Sequence, residues 1–339
     1  MLAGKLLSAT SSDQQIAVAL STTPFVTVYP WSSAGFGTKY ANPATLPTGL
    51  SQGVSFSYDG STIAVAHQIT PFITVYPWST SGFGTKYANP ATLPTGSGTS
   101  VDFNYDGSAI AVAHAVTPFV TVYPWSAGFG TKYANPATLP SGTGLGVAFS
   151  PDGTAIAIAH SSTPFITAYP WSGSGFGTKY ANPATLPTGS GYSVDFSSNS
   201  SQIAVGHSTT PFVTAYPWSG SGFGTKYANP ATLPGGSGFG LRFSPDDSAL
   251  AITDFGSPYI AAYAWSPSGF GTKYANPAVL PASASTDPAF SKTGDALAIS
   301  QNSSPYIAAY AWSVSGFGAK YADPTTLPSG SSNSVAFTK

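Results

Sequence analysis

Short runs along the chain alternate apolar and polar residues with a period of two, and Gly, Pro, Asp and Asn separate the runs. One stretch shows the full pattern. Gly53-Val54-Ser55-Phe56-Ser57 alternates as a strand does, and Tyr58-Asp59-Gly60-Ser61 supplies a hairpin turn in which Gly60 suits a positive φ. Ile63-Ala64-Val65-Ala66 reads as the returning strand. Beyond the Thr70-Pro71 turn, Phe72-Ile73-Thr74-Val75-Tyr76 alternates again as a third strand. A loop around Gly82-Phe83-Gly84 then leads to Lys86-Tyr87-Ala88-Asn89-Pro90-Ala91-Thr92-Leu93. The proline there suits only an edge, so this segment is the expected outermost strand. No window of a dozen residues shows helical periodicity free of Pro and Gly.

The pattern repeats. The tryptophans are Trp31, Trp78, Trp125, Trp171, Trp218, Trp265 and Trp312, spaced by 47, 47, 46, 47, 47 and 47 residues. The single 46 reflects one residue fewer in the loop Ser126-Ala127-Gly128. Each Trp lies in a TPF(V/I)T(V/A)YPWS run followed by GFGTKYANPATLP, which drifts to SPYIAAYAWS in the last two copies. A four-stranded unit repeated seven times predicts an all-β fold, a seven-bladed β-propeller of four-stranded antiparallel blades that bury their faces against one another.

The second, third and fourth strands occur seven times, but the innermost strand has eight candidates. Ser334-Val335-Ala336-Phe337-Thr338 matches the innermost pattern, whereas Leu6-Leu7-Ser8-Ala9-Thr10 matches it poorly. The C-terminal strand is therefore expected to close the first blade beside Gln15 to Leu20. Residues 15–339 would form the propeller, leaving residues 1–14 as an N-terminal arm that either docks onto a partner or frays.

Composition narrows the function. With 42% hydrophobic and 14% aromatic residues the chain has material for a substantial core, and its 7 Trp, 19 Tyr and 21 Phe residues carry most of that potential. Only 7% of residues are charged, the formal net charge is −1 and no Glu occurs. That balance supplies no drive onto nucleic acid and no polybasic foothold on a membrane. Without cysteine there is neither a disulfide framework nor a thiolate metal site. Residues 1–11 lack the apolar core of a signal peptide, and no apolar run is long enough for a membrane span.

Several residue sets recur in register. His67, His114, His160 and His207 end the second strand of four consecutive units, where Leu20, Asp254 and Gln301 stand in the others. Metal ligation needs several donors about 2.0–2.1 Å from one ion, and equivalent positions on a ring diverge, so a blade-end polar ring is expected, with pH sensing as the alternative. Lys39, Lys86, Lys132, Lys179, Lys226, Lys273 and Lys320 precede Tyr40, Tyr87, Tyr133, Tyr180, Tyr227, Tyr274 and Tyr321. This belt suits either edge protection or a repeated ligand-binding site. Asp59, Asp106 and Asp152 lie in Asp-Gly turns. Asp102, Asp195 and Arg242 replace Ser or Ala at the centre of the innermost strand, where they would face a solvated channel or, for the two carboxylates, a cation. No nucleophile elbow, P-loop or dinucleotide fingerprint can be assembled, so no catalytic residue, metal or cofactor is expected.

Val147-Ala148-Phe149-Ser150-Pro151-Asp152-Gly153 and the strands after it resemble the WD-repeat propeller family. Tyr169-Pro170 stands where that family places Trp-Asp, and the family's Gly-His pair is missing. The longer phrase AVAH, TPF(I/V)T(V/A)YPWS and GFGTKYANPATLP resembles repeat proteins predicted in tailed bacteriophages of aquatic habitats. That resemblance implies a non-enzymatic structural or host-attachment component of a virion. Its expected partners are other virion proteins or a host-surface receptor, a glycan among them. The alternative is a lectin-like propeller binding several equal glycans through its repeated aromatic and polar groups. The linkers Thr48 to Gln52, Ser141 to Leu145 and Ala282 to Thr286 differ most between units, so sequence variety gathers on one face.

Overall fold

A computed structural model describes residues 14–339. Among them are 27 strands and no helix. The strands form seven antiparallel sheets, and the innermost strand of each neighbours the innermost strands on either side, closing a ring around a central channel. Blade 2 shows the unit, with Ser51–Phe56, Thr62–His67, Ile73–Ser79 and Gly82–Phe83 from the axis outward.

The ring closes through the C-terminal strand, as expected. Ser332–Phe337 pairs with Gln14–Leu20, setting Phe337 opposite Ile16 and Val335 opposite Val18. Gln14 already belongs to this strand, and its side chain accepts the Lys292 N–H of blade 7 at 2.8 Å. The rest of the expected arm, residues 1–13, lies outside the described residues.

The fourth strand is not where the sequence pattern placed it. In blade 2 it is the Gly82–Phe83 pair, while Lys86 to Leu93 keeps to the blade through isolated bonds such as Tyr87 N–H to Val75 O at 2.9 Å. Pro77 in the third strand has no N–H to offer an outer neighbour. In blades 6 and 7, where Ala264 and Ala311 replace that proline, the fourth strand lengthens to Gly269–Lys273 and Gly316–Lys320. In blade 3 the shortened loop reduces it to one bridge between Trp125 and Phe129.

Apolar packing lies between blades. The cluster joining blades 1 and 2, for example, brings Ala17, Ala19, Val26 and Val28 against Val54, Ile63, Val65 and Trp78. Tyr40 of blade 1 meets the Trp78 indole of blade 2 edge-on at 5.0 Å, a geometry worth about 0.5–1.5 kcal/mol beyond burial. The buried Tyr76 hydroxyl donates to Thr45 O of the preceding unit at 2.7 Å. The ring contact recurs at all seven boundaries and the hydroxyl bond at six, so a regular frame surrounds the channel.

Candidate functional site

Each innermost strand carries a bulge. In blade 6, Gly238 faces Asp254 and Gly240 faces Thr253, which leaves Phe239 as an extra residue. A bulge bends the strand and re-aims its side chain. The equivalent slips place Gln52, Thr99, Leu145, Tyr192, Thr286 and Asn333 at the same level, and all seven residues line the channel mouth. Gln52, Leu145 and Thr286 end the linkers whose variety stood out in the sequence.

The inner edge of each blade presents unpaired backbone groups, and side chains from the neighbouring blade meet them. Phe149 N–H donates to Asp102 Oδ2 at 3.0 Å, and Phe243 N–H donates to Asp195 Oδ2 at 2.9 Å. Asp287 Oδ2 accepts the Ser334 hydroxyl at 2.7 Å. Gly240 opposes blade 7 so closely that a Cβ would lie 2.5 Å from Thr286 O. A side chain has no room there.

The other carboxylate oxygens face cations. Arg242, the only arginine of the chain, lies between two carboxylates, with Nη1 3.5 Å from Asp195 Oδ1 and Nη2 3.6 Å from Asp287 Oδ1. Lys339 Nζ donates to Asp102 Oδ1 at 2.9 Å and stands 4.4 Å from the centre of the Tyr58 ring. Three carboxylates and two cations from blades 3, 5, 6, 7 and 1 thus converge on one cavity of about 1100 Å³. Burial pushes the Asp195 carboxyl up to about 6, with the Arg242 guanidinium opposing the shift. Burial raises Asp287 too, again against Arg242. A carboxylate poised near neutrality beside a fixed guanidinium can take a proton from water while the cation faces a developing oxyanion.

The recurrent sets occupy other places. His67, His114, His160 and His207 are fully buried, and each shares a hydrogen bond of 2.9 Å through Nε2 with Thr74, Thr121, Thr167 or Thr214. Burial lowers all four to about 4. They remain neutral at physiological pH. Asp254 at the same level is raised to about 6 by burial while accepting the Gly235 and Gly256 N–H groups, and Gln301 Oε1 accepts from Ala282. Among the described residues no three His, Cys, Asp or Glu side chains cluster as metal ligands.

In the belt, Lys39, Lys86, Lys132, Lys179, Lys226 and Lys273 donate to the Asn side chain three residues on, and Lys320 pairs with Asp323. Tyr40, Tyr87, Tyr133, Tyr180, Tyr227, Tyr274 and Tyr321 each pack edge-on against a Trp of the neighbouring blade. Neither the histidines nor the belt line the central cavity. The sequence flagged Asp102, Asp195 and Arg242 but not Asp287, Lys339, Tyr192 or Phe239. Asp287 stands two positions before Ala289, the equivalent of Asp195 in its strand, within the bulge.

No protein-family model and no curated protein sequence matches the chain. Solved structures match it in fold. A protein from Lactobacillus plantarum shares 14% identity at a TM-score of 0.76, covering 96% of this chain and 100% of its own. A candidate 6-phosphogluconolactonase from Bacteroides uniformis shares 15% identity at 0.73, covering 96% and 99%. The periplasmic gluconolactonase of Pseudomonas aeruginosa shares 17% at 0.71, also over 96% and 99%. At these identities the likeness is one of fold.

These neighbours correct the expectation of a non-enzymatic virion or host-attachment component, since two are lactonases by name and all three come from bacteria. The lectin-like alternative belonged to the same non-enzymatic reading and is corrected with it. That reading rested on the lack of a contiguous motif, whereas the charged cluster is assembled from single residues on separate blades. The WD-repeat likeness extends to the propeller and no further.

Proposed function

We propose that the chain is a hydrolase that opens cyclic esters in the central channel. The observation that carries the reading is the placement of Arg242 between Asp195 and Asp287, in the wall of a cavity in a chain otherwise poor in charge. The lactonase names among its structural neighbours support the same reaction class.

In this reading Asp195 takes a proton from water, and the water oxygen bonds to the lactone carbonyl carbon. The carbonyl electrons move onto oxygen, where the Arg242 guanidinium meets the negative charge. Collapse of the tetrahedral species breaks the ring C–O bond, and the proton held by Asp195 passes to the departing alkoxide. The product is an open-chain hydroxy acid. Asp287 holds the far side of the guanidinium, and the Phe243 N–H holds Asp195. Both are positioning contacts.

Acid release from a panel of δ-lactones, δ-gluconolactone among them, tests the reading against spontaneous hydrolysis in the same buffer. Asp195→Asn is expected to reduce the catalysed rate by roughly 10²–10⁴-fold. A wild-type protein that accelerates none of the panel overturns it.

A further inference from the structure

The channel mouth is not uniform. The bulged residues of blades 4, 5 and 6 are Leu145, Tyr192 and Phe239, whereas blades 7, 1, 2 and 3 carry Thr286, Asn333, Gln52 and Thr99. Three of the polar residues turn to the neighbouring blade's backbone: Thr99 donates to Gly144 O, Thr286 to Ser332 O and Asn333 to Ser51 O. The two aromatic ones pack together instead. Tyr192 and Phe239 stack with centroids 4.3 Å apart and planes 9° from parallel, and Phe255 meets Phe239 at 3.9 Å. Phe255 follows the second strand of blade 6, where the other blades carry Ser21, Gln68, Ala115, Ser161, Ser208 and Asn302, and it is 42% exposed. In a chain of near-identical units, these aromatic replacements gather in one sector of one cavity.

We infer that this sector is a subsite for an apolar substituent, so that the ligand of the channel is an uncharged lactone bearing an alkyl or aryl group. The inference rests on the proposed hydrolase reading and names its substrate class. Tyr192 and Phe239 stand on the same two strands as Asp195 and Arg242, three residues away, a rise of about 10 Å. A ring held at the charged level places a short tail against the aromatic cluster. Charge agrees: Asp59, Asp102, Asp195 and Asp287 outnumber Arg242, Lys292 and Lys339 in the cavity wall, and Arg242 and Lys339 are already paired, which disfavours a doubly charged ligand.

Initial rates on δ-valerolactone and on δ-decalactone, which adds a pentyl tail to the same ring, test the inference. Wild type is expected to favour δ-decalactone in kcat/KM by roughly 10-fold or more. Phe239→Thr and Tyr192→Thr install the residue that blades 3 and 7 carry at this position. They should abolish the preference while leaving the δ-valerolactone rate unchanged. A wild type without the preference, or variants that keep it, overturns the subsite and leaves the hydrolase reading standing. If no lactone is hydrolysed, the hydrolase reading fails and calorimetry with the pentyl-substituted δ-lactam decides the subsite separately. Binding that Phe239→Thr weakens supports it; no binding, or binding indifferent to that change, overturns it.

Discussion

The Tyr321 ring meets the Trp31 indole edge-on at 4.9 Å, joining the last blade to the first. The other six boundaries carry the same contact at 5.0–5.5 Å. The seam is packed like any other boundary, although the first sheet draws its strands from both ends of the chain.

That sheet should therefore govern global stability. Phe337 is buried in the cluster between blades 7 and 1, and Phe337→Ala is expected to cost about 3–5 kcal/mol in denaturant unfolding. Removing residues 333–339 should lower the melting temperature sharply. An unchanged midpoint would show that the ring does not depend on this strand.

The inter-blade tyrosines allow an internal comparison. Tyr76 Oη donates to Thr45 O, whereas the buried Tyr310 Oη has no hydrogen-bond partner among the described residues. Tyr76→Phe should destabilise by about 0.5–1.5 kcal/mol, and Tyr310→Phe should be neutral or stabilising. Equal losses at the two sites, measured by urea unfolding, would contradict the assigned partners.

The buried histidines make stability depend on pH. Each is held near 4, below its ordinary 6.5, so the folded state resists protonation that the unfolded chain accepts. Their contribution is fully present above about pH 6.5 and is lost as pH falls toward 4, by up to about 1.4 kcal/mol per pH unit for each histidine. His114→Gln, which introduces the residue found at Gln301, should flatten the profile relative to wild type over that window. Parallel profiles in calorimetric scans would exclude the histidine as a source of the slope.

Catalysis should carry its own pH signature. Asp195 must be ionised to accept a proton, so kcat/KM for lactone opening is expected to fall as pH drops below about 6. The guanidinium opposes the upward shift, so Arg242→Gln should move this limb to higher pH as well as lower the rate. A limb that stays in place in Arg242→Gln would assign it to another group.

Much of the frame was legible because it repeats. Seven tryptophans at a fixed spacing and the alternation of Gly53 to Ser57 define blades, and the surplus Ser334 to Thr338 identifies the closing strand. The fourth strand was misplaced because Pro77 removes the N–H on which a longer outer strand depends, an effect visible only once Ala264 and Ala311 are compared with it. In the channel, Asp102, Asp195 and Arg242 stood out as departures from the repeat. Their partners did not, since Asp287 and Lys339 meet them across blade boundaries. Tyr192 and Phe239 look like ordinary strand aromatics until the bulge turns them into the mouth, and alternation cannot announce a bulge.

The seven bulged positions also separate two kinds of evolutionary change. None of Gln52, Thr99, Leu145, Tyr192, Phe239, Thr286 and Asn333 belongs to the apolar clusters between blades. Selection can therefore rewrite the mouth one letter at a time while the masonry of the ring stays the same, and duplicated blades become a supply of independent specificity positions rather than redundant copies.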